Sequence, residues 1–161
     1  MSANDKNQNL TNLASPKIGT KIIEVSDDFF GKASRMIDDK DPVFIEDKYD
    51  EHGKWMDGWE SKRRRDGGND WAIIELGSPG IISEVDIDTS FFTGNFPPFA
   101  SIEGLYSDQK PNKNSDWIKI LSKSSLKGDA SNKFKVQTKT KVNYIRLQIY
   151  PDGGVARLRL F

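Results

Sequence analysis

The chain has 161 residues, with 24 basic and 24 acidic side chains, one histidine and no cysteine. A length like this suits one domain, able to bury roughly 70% of the surface its unfolded chain exposes. The zero net charge argues against a general nucleic-acid or anionic-membrane binder, the missing cysteine excludes disulfides and thiolate chemistry, and the lone His52 excludes a single-chain site built on two histidines.

Met1 to Pro16 is polar, rich in Asn and Ser, and reads as a flexible N-terminal tail, leaving 17–161 as the domain. Lys21 to Ser26 is a short strand signal. Asp27 to Ile37 suits one or two helical turns, with Ser26 or an Asp as cap. Asp38 to Tyr49 is irregular, with Asp41-Pro42 as a turn. Next comes Lys54-Trp55-Met56-Asp57-Gly58-Trp59-Glu60-Ser61-Lys62-Arg63-Arg64-Arg65, which crowds indoles, carboxylates and three consecutive arginines together. It has no core-like periodicity. It reads either as a solvated charged loop or as a loop built to hold a small anionic ligand, since a guanidinium matches a carboxylate with two hydrogen bonds.

Strand signals then dominate. Trp71 to Leu76 ends at the turn Gly77-Ser78-Pro79-Gly80. Ile81 to Phe92 alternates, with Ile81, Ser83, Val85, Ile87, Thr89 and Phe91 on one face. Ala100 to Ser107, Asp116 to Leu121 and Lys133 to Thr138 follow. Val142 to Tyr150 sets Ile145, Leu147 and Ile149 against Tyr144, Arg146 and Gln148. Pro151-Asp152-Gly153-Gly154 reads as a tight turn into a last strand, Val155 to Phe161. If that strand pairs with its predecessor, Arg157 and Arg159 lie beside Arg146, with Asp86, Asp88 or Asp152 as carboxylate partners. Strands every 10 to 15 residues, Gly/Pro/Asn turns and no βαβ rhythm predict an all-β antiparallel sandwich. The chain stops inside a strand pattern, which suggests half of a longer parent or a strand at a sheet edge. No apolar run approaches the ~20 residues of a membrane span. Without a signal core the cytoplasm is the default compartment, with the peroxisome left open.

Five stretches then carry a resemblance. They are Gly19 to Phe30, Gly53 to Arg64, Asn69-Asp70-Trp71, Asp88 to Pro98, and Ile149 to Arg159. In this order, over about residues 18–161, they resemble one repeat of the allantoicase (allantoate amidinohydrolase) family. The resemblance implies a jelly-roll sandwich of the galactose-binding-like type. It also implies hydrolysis of allantoate to ureidoglycolate and urea in purine breakdown. The family pairs two tandem repeats, and this chain resembles the first alone, so a second repeat or a homo-oligomer is the expected partner. The competing reading is a non-catalytic small-ligand or carbohydrate module, with tryptophan as a stacking platform.

The reaction needs an acid for the departing urea, a base for water and an anchor for the carboxylate. Asp57 and Glu60 are the candidate acid and base, with His52 as a rival. Arg63 or Arg65, which point together if the chain is extended, would anchor the carboxylate. Thr93 and Asn95 would bind ureido groups, and Trp59, Asp70 and Arg157 complete the expected binding set. No cofactor is called for; the oxygen donors would suit a hard divalent ion such as manganese or calcium rather than zinc.

Overall fold

A computed structural model describes residues 10–161. Two antiparallel layers face each other. The first is a five-stranded sheet of β1 (Lys21–Val25), β5 (Asp70–Gly80), β10 (Val142–Tyr150), β7 (Phe99–Leu105) and β8 (Ile118–Ser125), in that order across the sheet. The second holds β12 (Arg157–Leu160), β6 (Glu84–Asp88) and β9 (Ser131–Lys135), beside a pair formed by β4 (Trp59–Glu60) and β11 (Gly154–Val155). A small hairpin, β2 (Tyr49–Asp50) and β3 (Gly53–Lys54), lies outside both layers. The fold is the antiparallel β-sandwich expected from the strand rhythm.

The core forms because alternation in each sheet points β-branched residues into the same gap. In β10, Ile145, Leu147 and Ile149 are fully buried, and Leu147 sits between Ala72 of β5 and Ile102 of β7. From the opposite layer come Val85 and Ile87 of β6, Leu158 and Leu160 of β12, and Trp59 of β4.

Several expectations change. β5 runs on through the predicted turn at 77–80, and Val142 pairs with Gly80 across an irregularity in the ladder. β6 is shorter than its alternation suggested. Val85, Ile87 and Thr89 point inward, but Ile81 is exposed and Ile82 takes the buried place. Phe91 turns outward at φ 71°, and Phe92 fills the interior instead. Asp27 to Lys32 is not helical; a 3-10 turn spans Ala33–Ile37 only. The Pro151–Gly154 stretch is a crossing between layers rather than a hairpin, because β10 pairs with β5 and β7 while β11 pairs with β4. β12 therefore does not lie beside Arg146; it forms the edge of the three-stranded sheet, against β6.

The expected tail falls partly outside the described residues, up to residue 9. Its later part is packed: Leu13 N donates to Leu160 O at 2.7 Å, Ala14 is fully buried, and a 3-10 turn spans Pro16–Ile18. Among the described residues, no helix is long and apolar enough to cross a membrane.

Candidate functional site

Glu60 lies where short strands meet. Its backbone is held on both sides, paired with Gly154 of β11 and bridged to Gly31. Alternation sends Trp59 into the core and leaves Glu60 facing a cleft of about 440 Å³. That cleft is lined by Phe30, Arg63, Asn95, Phe96 and Asp152 besides Glu60. The Asn95 side-chain amide donates to Glu60 Oε2 at 2.8 Å. Burial pushes the Glu60 carboxyl above its ordinary value, and the Asn95 hydrogen bond only partly opposes this. The Asn95 loop is locked to the crossing segment, since Gly154 N donates to Asn95 O at 2.8 Å. Gly153 makes that approach possible: its φ is 132°, and a Cβ there would sit 2.7 Å from the Asn95 carbonyl oxygen.

Arg63 also borders a second cleft of about 530 Å³, shared with Arg65, Lys62, Asp27 and Asp70. Arg63, Arg64 and Arg65 all line this space, and Arg64 is the one tied into the fold by side-chain hydrogen bonds. Its guanidinium bonds Asp70 Oδ1 at 2.8 Å and Asp66 Oδ2 at 2.7 Å, and its backbone N–H donates to Asp152 Oδ2 at 2.7 Å. Asp66 and Asp70 hold the Arg64 guanidinium still more firmly protonated.

The other expected site residues are placed differently. Trp59 is fully buried and its indole N–H donates to Asp27 O at 2.8 Å, so it offers no stacking face. Arg157 is buried, and its fork grips Asp57 through contacts of 3.1 and 2.8 Å; it also donates to the Lys40, Arg35 and Ala156 carbonyls. Asp57 accepts a further bond from Val43 N at 3.0 Å. This carboxylate–guanidinium pair ties the Asp57 and Val43 backbone segments to β12. Asp70 is fully buried, with Ser26 Oγ and Arg64 both on Oδ1. His52 is exposed, stacks on Phe29 at 4.0 Å between ring centroids, and borders a separate cleft with Asp50 and Glu51. Thr93 is exposed on the Asn95 loop. Among the described residues, no three His, Asp or Glu side chains are grouped to hold a metal ion.

Asp152, expected as an arginine partner, accepts instead from the Arg64 backbone N–H. It lines the Glu60 cleft, and the signal that could have found it is the Gly-Gly pair following it, which allows a close chain crossing. None of the four tryptophans is exposed. Trp55 lies half-buried beneath Lys48 Nζ and Arg35 Cζ, at 4.0 and 5.3 Å from its ring. No tryptophan therefore stands exposed as the stacking platform that the carbohydrate-module reading expected.

Comparison with known proteins bears on the family and the fold. Over 152 residues the chain is 51% identical to the protein named "Probable allantoicase" of Acinetobacter baylyi, covering 94% of this chain and 46% of that one. The crystal structure of allantoicase from Saccharomyces cerevisiae superposes with a TM-score of 0.82 at 31% identity, covering 99% of this chain and 53% of that chain. A family 32 CBM from C. perfringens, solved in complex with galactose, matches at TM-score 0.60 and 14% identity over 93% of this chain and 97% of its own, which speaks to the fold alone. The sandwich is accordingly a jelly roll of the galactose-binding-like type. The chain spans about half the length of the curated relatives it matches. The family model of the allantoicase repeat matches residues 11–161, and the chain belongs to the allantoicase family.

Proposed function

We propose that this chain is one repeat of an allantoate amidinohydrolase and supplies part of its active site, working with a second repeat or through self-association. The observation that carries the reading is the half-buried Glu60 carboxyl, bonded to Asn95 and sharing one cleft with Arg63 and Asp152. Burial raises its pKa, the direction required of an acid that gives a proton to the leaving urea. Asp152, which lines the same cleft, serves in this reading as the second carboxylate in place of Asp57 and takes a proton from water. Arg63 anchors the allantoate carboxylate, and the Asn95 amide holds a ureido group while fixing Glu60. In the net reaction water adds to the carbon that urea leaves, giving ureidoglycolate. The family relationship supports this substrate; the carboxyl, amide and guanidinium together match its chemistry.

The test is urea release from allantoate by this chain joined to the part of the A. baylyi relative that it does not match. E60Q should lower kcat by about 10²–10⁴-fold, the usual worth of a positioned acid or base. R63A should raise KM more than it lowers kcat. Full turnover by E60Q would remove Glu60 from the chemistry.

A further inference from the structure

Val43, Phe44 and Ile45 follow one another through irregular backbone, and each stays 42% exposed or more. Tyr49 is 67% exposed and Phe91 38%. These form one surface: the Phe44 and Phe91 rings lie 5.8 Å apart, and Lys54 Nζ sits 4.7 Å from the Phe44 ring and 5.3 Å from the Tyr49 ring. The patch is anchored, because Val43 N donates to the Asp57 carboxylate that buried Arg157 grips. Phe91 is held outward in the left-handed region at φ 71°, uncommon for an aromatic residue, by a bond from its N–H to Asp129 Oδ1 at 2.8 Å. Contiguous exposed apolar surface of this kind marks an interaction site.

The length of the relatives indicates what covers it. The chain accounts for 46% of the A. baylyi protein and 53% of the yeast one, so each carries a further stretch about the size of this domain. The patch also adjoins the candidate site, since Phe91 leads through Phe92 and Thr93 to Asn95, which bonds Glu60. We infer that the surface formed by Val43, Phe44, Ile45, Tyr49 and Phe91 receives a second allantoicase repeat, which thereby packs against the Thr93–Asn95 loop and closes the Glu60 cleft. The inference rests on the family reading above.

The chain contains no cysteine, so F44C and F91C each place a single reactive thiol on the patch. Thiol labelling, located by mass spectrometry, is compared between the 161-residue chain and the same chain joined to the part of the A. baylyi relative that it does not match. Y106C, at a position 56% exposed and away from the patch in sequence, serves as the control. Labelling of F44C and F91C should slow by about tenfold or more in the joined chain, as expected in a desolvated interface core, with Y106C unchanged. Equal rates in the two chains overturn the inference. So does protection that appears in the 161-residue chain alone and vanishes on dilution, which would mean a second copy occupies the patch. If the joined chain does not fold, the positions aligned with Phe44 and Phe91 in the intact A. baylyi protein carry the same test with the same two outcomes. Labelling does not depend on turnover: protection without urea release would overturn the proposed reaction alone, and urea release from a freely labelled patch would overturn the docking surface alone.

Discussion

Burial of the Glu60 carboxyl links the proposed acid role to the stability of the fold. Its pKa is raised in the folded chain, so the fold binds that proton more tightly than the unfolded chain does. The resulting stabilisation is fully present below the ordinary carboxylate value and is lost as pH rises through the raised one. E60Q keeps an oxygen to accept from Asn95 and cannot ionise. It should therefore melt no lower than wild type at neutral pH, with any advantage shrinking on acidification to about pH 4, a comparison that thermal melts across pH resolve. In the joined enzyme, kcat should fall as pH rises through the same ionisation, because the acid then loses its proton. Arg157 shows the reverse situation. Its buried guanidinium has Asp57 as its carboxylate partner, so R157A should cost about 3–5 kcal/mol in urea denaturation. The D57A/R157A pair should cost less than the sum of the two single changes, since both remove one coupled interaction.

Short elements decide whether the site exists. β4 and β11 contribute two residues each, yet their pairing fixes Glu60, Gly153 and the Asn95 loop relative to one another. Gly58, just before β4, lies so close to the crossing segment that a Cβ would come 2.4 Å from the Val155 carbonyl oxygen and 2.6 Å from Ala156 Cα. Those contacts are backbone and cannot swing aside. G58A should therefore splay β4 from β11, cost about 1–3 kcal/mol as overpacking does, and release the Asn95–Glu60 bond. Chemical denaturation gives the first effect, and a loss of turnover in the joined chain exceeding that of a distant surface variant such as Y106C gives the second. Arg157 and Arg159 perform a similar service for the 35–40 segment, donating to its carbonyl groups and tying it over the outer face of β12.

At the scale of the whole molecule, the sandwich is a frame that carries the candidate site on loops and short strands. The five-stranded sheet buries its apolar rows regardless of what those loops carry, which is how a family 32 CBM and an allantoicase repeat share this frame. The Glu60 cleft is open in this single repeat, and the exposed Phe44–Phe91 surface adjoins its Asn95 loop. The 161-residue chain alone should therefore release urea from allantoate more slowly than the joined chain at equal molar concentration, and a direct urea assay compares them. Equal rates would mean that one repeat suffices.

The strands of the frame were legible in the sequence because alternation is a local property: Ile145, Leu147 and Ile149 announce a buried row whatever they pair with. The family was legible because five ordered stretches recur together. Pairing between distant segments was not legible, and it decided the site. Nothing local says that Pro151–Gly154 crosses between layers, that Trp59 faces the core while Glu60 faces the cleft, or that Asp57 belongs to Arg157, 100 residues away. Carboxylates in a charged stretch look alike in sequence; only the chain's tertiary path sets which one is neutralised by a buried guanidinium and which is left half-desolvated beside an amide. That difference in surroundings makes Asp57 a brace and Glu60 a candidate acid.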